Sequence, residues 1–217
     1  VAFSDPMADG PVIQRSSERA LERGAGTGYV FDCVRRFRQR DADTPVVLMG
    51  YLNPVEIHGA ARYAAEAVAA GVDGVLLVDL PPEEAASFQD AFDAAGLALV
   101  MLASPTTTDE RAAMLCAKAQ GYLYYVSYAG VTGADHLDAG VAGQRLAQLR
   151  AAARVPVVAG FGIKDAASAA AMAVDADGVV VGSALVAAMA GAESPDQAAA
   201  CASTFLAPLR QALDASA

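Results

Sequence analysis

Apolar positions along the chain fall into short unbroken runs, separated by longer stretches in which Ala, Leu and Val alternate with charged side chains. The runs are Pro45 to Met49, Gly74 to Val78, Leu97 to Met101, Tyr122 to Val126, Val155 to Ala159 and Gly178 to Val181. Each is too short for a helix and nearly continuous in apolar residues, the pattern of a strand buried on both faces of a parallel sheet. The stretches between them predict helices over Ala61 to Ala70, Glu83 to Ala95, Asp109 to Ala119, Val141 to Ala153 and Ala166 to Val174. A further helix is expected near Val12, a short one from Ala184, and an amphipathic one from Pro195 to Ala217. Gly71, Gly96 and Gly121 each stand between a helix and the next strand, where glycine takes the left-handed conformation that ends a helix. Val1 to Phe3 reads as the tail of one more strand.

The strands recur roughly every 25–30 residues, as repeated β-loop-α units require. Both an open doubly wound sheet and a TIM (β/α)8 barrel fit that repeat. The barrel is favoured because no GxGxxG follows the first strand and Gly-rich turns follow the last ones, where barrels build phosphate sites. No linker or low-complexity segment interrupts the pattern, so residues 1–217 are expected to form a single α/β domain.

Composition narrows the function classes. The chain is 55% hydrophobic and only 18% charged, too apolar for a disordered segment. Its net charge of −10 argues against nucleic acid or an anionic membrane as partner. No apolar stretch is long enough for a membrane-spanning helix, and the start lacks a signal-peptide core. Cys33, Cys116 and Cys201 are odd in number and widely spaced in apolar surroundings, which reads as reduced thiols in a cytoplasmic protein. His58 and His136 are isolated, so no metal-site spacing exists.

In either architecture chemistry belongs after the C-terminal ends of the strands. The loop Ser4-Asp5-Pro6-Met7-Ala8-Asp9-Gly10-Pro11 places two carboxylates in a rigid turn. One can bond a substrate or manage a proton; alternatively, either can cap the helix beginning near Val12. Gly50-Tyr51-Leu52-Asn53-Pro54 is a polar patch or a turn into the next helix. Asp79 is an acid at the end of a buried strand, open to a functional or a structural reading. The stretch from Ser127 to Asp138 carries two glycines and a threonine and reads as a lid or an ordinary loop. Tyr122 and Tyr124 share a strand face and suit either a planar ligand or the core. Gly160-Phe161-Gly162 and Gly182-Ser183 follow the last two strands. Together they point to a phosphate, because glycine turns expose backbone N–H groups and a helix start adds positive potential. These residues alone describe a phosphate-binding α/β protein acting on a small molecule through carboxylates.

Several of these segments, in order over nearly the whole chain, resemble the tryptophan synthase α chain family. They are Phe3-Ser4-Asp5-Pro6-Met7-Ala8-Asp9-Gly10-Pro11, Met49-Gly50-Tyr51-Leu52-Asn53-Pro54, Val78-Asp79-Leu80-Pro81, Gly130-Val131-Thr132-Gly133-Ala134, Gly160-Phe161-Gly162-Ile163 and Gly182-Ser183-Ala184. The first is highly specific; the glycine turns are shared with other phosphate barrels. The resemblance implies a TIM barrel that cleaves indole-3-glycerol phosphate to indole and glyceraldehyde 3-phosphate. It implies Asp9 as the catalytic carboxylate that accepts the indole N–H. Tyr51, Tyr124 and Thr132 would contact substrate, and Gly133, Phe161, Gly162, Gly182 and Ser183 would cradle the phosphate. Asp5, Asn53 and Pro54 would contact a β chain that carries pyridoxal phosphate, in an α2β2 heterotetramer, and this chain would hold no cofactor or metal of its own.

The sequence departs from the family pattern at Tyr128, where Arg is frequent. The family's proton-donating Glu would lie just upstream of Val1. A barrel typically needs ~250 residues, so the chain is expected to lack the first strand, first helix and most of the second strand. Two alternatives carry different expectations: a sugar-phosphate isomerase type of barrel, and a fragment that binds only ligand or the β chain.

Overall fold

The computed structural model describes residues 1–126, 139–160 and 162–215. The chain divides into two compact units. Val1–Met101 with Ala119–Gly121 forms the first, and Leu102–Lys118 with Tyr122–Ala217 the second.

The first unit opens with α1 (Pro11–Glu22) and α2 (Thr27–Arg38). These lead to β1 (Val47–Gly50), α3 (Leu52–His58), α4 (Ala60–Ala70), β2 (Gly74–Leu77), α5 (Ala86–Ala95) and β3 (Ala98–Ala103), whose last two residues belong to the second unit. β1 pairs with β2 and β2 with β3, both in parallel. All four β2 residues are buried, as expected of a strand covered on both faces. Gly71 ends α4 at φ +96° and Gly96 ends α5 at φ +77°, so both helices stop at the expected left-handed residue.

Two helices depart from the expected pattern. α2 leaves little trace in the apolar pattern because it buries only Phe31 and Val34, while Tyr29 and Phe37 are exposed and three arginines crowd its last turn. α3 occupies the stretch in which Asn53-Pro54 suggested a turn. Pro54 lies in the helix's first turn, where a missing N–H costs no intrahelical bond. The expected strand tail at Val1 to Phe3 is not a strand. The segment instead lies against β1, with the Val1 nitrogen donating to the Met49 carbonyl at 2.6 Å.

The second unit contains α6 (Asp109–Lys118), β4 (Leu123–Val126), α7 (Ala139–Ala152), β5 (Val157–Gly160), α8 (Ala166–Ala173), β6 (Gly178–Val179), α9 (Ser183–Met189) and α10 (Pro195–Asp214). β4 pairs with β5 and β5 with β6, again in parallel. Asp165 and Ser168 form a reciprocal capping box at the start of α8. α8 and α10 pack through Ala169 and Leu209, with Ile163 beside them.

One device recurs at the N-terminal ends of alternate strands. Asp73, just before β2, accepts the Val46 N–H at 2.6 Å and pairs with Arg38 of α2. Gln120, just before β4, accepts the Leu99 N–H at 2.8 Å and donates to Asp93 of α5. Asp177, just before β6, accepts the Val157 N–H at 2.8 Å and pairs with Arg150 of α7. Each clip joins a strand start, the helix before it and the loop after the next helix.

Candidate functional site

The loop from Ser4 to Gly10 is folded on itself. The Met7 N–H donates to the Asp5 carbonyl at 2.9 Å, and the Asp9 N–H donates to the Pro6 carbonyl at 3.1 Å. Gly10 then caps α1 with no side-chain bond, and Pro11 begins the helix. Neither Asp5 nor Asp9 caps α1, so the capping alternative is excluded. The Asp9 carboxyl is free to face the cavity beside it.

That cavity has a volume of about 330 Å³ and is lined by Asp9, Tyr51, Gly50, Val78, Ser16 and Ser17, among others. Asp9 is the one carboxylate in its wall among the described residues. Burial pushes the Asp9 carboxyl above its ordinary value, because an ion there loses water. A hydrogen bond from Tyr51 acts in the opposite direction.

Tyr51 is 5% exposed and stacks on Phe3 with ring centroids 5.2 Å apart. Its hydroxyl accepts the Ala8 N–H at 3.0 Å and donates to the Asp9 carboxylate. Burial pushes the phenol up to about 12, so the group stays protonated and remains a donor. Asp79 accepts the Leu52 N–H at 2.7 Å. The acid that stands out at a strand end thus holds the start of α3, immediately after Tyr51. Gln14, absent from any motif, donates its side-chain amide to the Asp9 carbonyl at 2.8 Å. Its only sequence signal is a polar position in the first turns of a helix that follows the loop.

In the second unit, Tyr124 is 9% exposed, and burial raises its hydroxyl above the ordinary phenol value. It faces Gly160 on the adjacent strand. A Cβ at Gly160 would lie 2.5 Å from the Tyr124 hydroxyl oxygen and 2.9 Å from the Val180 Cβ, so only glycine fits beneath the ring. The sequence suggests a turn glycine at this position; in the structure Gly160 makes room for Tyr124. Gly162 has φ +66°, and a Cβ on Gly162 or Gly182 would meet nothing within 4 Å. Gly182 caps α9 without any side-chain bond, and Ser183 begins that helix exposed. Thr132, Gly133, Phe161 and the stretch from Ser127 to Asp138 lie outside the described residues.

Asp5 is exposed and accepts the Ser4 hydroxyl at 2.6 Å. Asn53 is exposed and Pro54 half-buried on α3. Among the described residues, no group of three or more His, Cys, Asp or Glu could hold a metal ion, and no helix is long and apolar enough to cross a membrane.

The family model described as tryptophan synthase alpha chain matches residues 1–214. The tryptophan synthase alpha chain of Xanthomonas euvesicatoria pv. vesicatoria (strain 85-10) is 71% identical over 215 residues, covering 99% of this chain and 80% of the relative. The crystal structure of tryptophan synthase subunit alpha from Legionella pneumophila str. Paris matches with TM-score 0.89 and 44% identity, over 99% of this chain and 80% of that one. A structure of the tryptophan synthase α2β2 complex from the hyperthermophile Pyrococcus furiosus matches with TM-score 0.86 and 37% identity, over 97% of this chain and 84% of that one. The fold is therefore of the α/β TIM-barrel class. With a family model spanning nearly its full length and a relative this similar, the chain belongs to the tryptophan synthase alpha chain family.

Proposed function

We propose that this chain is a lyase of tryptophan biosynthesis that cleaves indole-3-glycerol phosphate by a retro-aldol step, with Asp9 as its catalytic carboxylate. The observation that carries the reading is a lone carboxylate, raised by burial above its ordinary value, in the wall of a cavity of about 330 Å³. Protonation at indole C3 makes the ring nitrogen electron-poor. A base then takes the proton of the adjacent glycerol hydroxyl. The bond between C3 and the glycerol carbon breaks, its electron pair returns to the indole ring, and the glycerol carbon becomes the aldehyde of glyceraldehyde 3-phosphate. Asp9 accepts the indole N–H and stabilises the positive charge that develops there. A carboxylate fixed before the reaction does this without reorganisation. Tyr51 holds that carboxylate from one side through its hydroxyl.

Tyr51, Tyr124 and Thr132 are proposed to contact substrate. Gly133, Phe161, Gly162, Gly182 and Ser183 are proposed to cradle its phosphate. Support comes from the open space at Gly162 and Gly182 and from the uncapped start of α9, where N–H groups lack a side-chain partner. Asp5, Asn53 and Pro54 are proposed as contacts to a β chain in an α2β2 assembly, of the kind named for the Pyrococcus furiosus relative. Pyridoxal phosphate belongs to that partner in this reading, and the chain itself uses no cofactor. One family model running over residues 1–214 supports a single barrel domain, which this reading places in the cytoplasm.

The test is to supply indole-3-glycerol phosphate to the full-length subunit with its β chain. Indole and glyceraldehyde 3-phosphate released in equal amounts is the expected result. No indole release, or turnover of aminoaldose phosphates instead, overturns the reading.

A further inference from the structure

We infer that Gln14 is a positioning residue for the lyase reaction, acting by fixing the main chain of Asp9; the inference rests on the role proposed for Asp9. The geometry is a grip on consecutive backbone groups. The Ala8 N–H is taken by the Tyr51 hydroxyl at 3.0 Å. The Asp9 N–H is taken by the Pro6 carbonyl at 3.1 Å. The Asp9 carbonyl is taken by the Gln14 amide at 2.8 Å. Gln14 also donates its own N–H to the Gly10 carbonyl at 3.0 Å, the first turn of α1. One residue on a rigid helix therefore holds both carbonyls that bracket the turn out of Asp9.

Carboxylate direction depends on this grip. The Asp9 side chain leaves the main chain between the N–H and the carbonyl that the loop and Gln14 secure. Without the amide donor the Asp9 carbonyl loses the bond that pins it to α1, the main chain is free to shift at the Asp9 Cα, and such a shift re-aims the carboxyl relative to the Tyr51 hydroxyl. Displacements of about 1 Å at a reacting group cost up to about a hundredfold in rate. Loss of one neutral hydrogen bond at half-buried Gln14 is expected to cost turnover about tenfold, through orientation rather than substrate affinity.

A packing role and a donor role make opposite predictions for two variants. Gln14→Met keeps the length and shape of the side chain and removes the donor. Gln14→Lys changes the shape and keeps a donor that can reach a carbonyl. Both are assayed for indole release in the full-length subunit with its β chain, beside Asp9→Asn. The expected result is kcat about tenfold lower in Gln14→Met with KM within about twofold, and recovery of most of that loss in Gln14→Lys. Full kcat in Gln14→Met beside an inactive Asp9→Asn overturns the inference while leaving the role of Asp9 intact. An active Asp9→Asn overturns the role of Asp9 and this inference with it. Should Gln14→Met not fold, Gln14→Leu replaces it, with a similar volume, no donor and no added charge, and the same outcomes decide.

Discussion

Asp9 and Asp177 both accept hydrogen bonds at a loop, and the protein displaces their carboxyl groups in opposite directions. At Asp177 the Val157 N–H and the Arg150 guanidinium hold the acid below its ordinary value. At Asp9 burial outweighs the bond from Tyr51, and the acid sits above it. The first aspartate is ionised because the fold rewards the charge. The second keeps a charge that the fold does not reward. The sign of each stability effect follows from linkage. Asp177 stabilises the folded chain above the ordinary value of 3.8, and that contribution is lost as pH falls through its lowered value. Asp9 costs stability once ionised, and the cost grows as pH rises from 3.8 through its raised value. A group held against its own preference is what a functional site shows, and a group held with it is what a clip at a strand start shows.

The contrast can be broken at several points. The largest effect is on turnover: Asp9→Asn lowers kcat for indole release about 10³-fold, and Asp177→Ala leaves it within about twofold. Steady-state assays of both variants in one preparation series check this. Next comes Gly160→Ala, which drives a methyl group into the Tyr124 ring and Val180 and destabilises by about 3 kcal/mol, read as a fall in the denaturation midpoint. Asp177→Ala strands the N–H of fully buried Val157 and costs about 2 kcal/mol at pH 7. The deficit shrinks on acidification, because the wild-type carboxylate is then protonated as well. Tyr51→Phe has the smallest effect. It keeps the stack on Phe3 and removes the bond to Asp9, lowering kcat about tenfold and moving the acid limb of the rate profile to higher pH, since the bond from Tyr51 lowers the Asp9 value.

The two regions also differ in how far they could be read from the chain. The six strands and the helix stops at Gly71 and Gly96 follow from local pattern, because burial on two faces and a left-handed cap leave marks within a few residues. Asp9 is legible as one of two carboxylates in a stiff loop, and the capping alternative falls only because Gly10 proves to be the cap. Asp79 stands out for the right reason, an acid where the strand should be apolar. Its partner is the Leu52 N–H, 27 positions away, and nothing local announces that. The clips at Asp73, Gln120 and Asp177 are invisible in the sequence for the same cause: each joins three segments distant along the chain. Gln14 escapes notice although it is only five residues from Asp9, because a glutamine in the first turns of a helix is ordinary until its amide is seen on a particular carbonyl. Gly160 is noticeable as a turn glycine, whereas its real constraint comes from a tyrosine on the neighbouring strand.

The central claim is that Asp9 is held charged for chemistry and not for stability. The melting temperature of Asp9→Asn relative to wild type, followed from pH 7 into the acid range, tests it most directly. The account predicts a variant at least as stable as wild type at pH 7, with any advantage disappearing as the wild-type carboxyl becomes protonated. A variant that melts clearly below wild type at pH 7 contradicts it, since that is the behaviour of a carboxylate whose charge the fold needs.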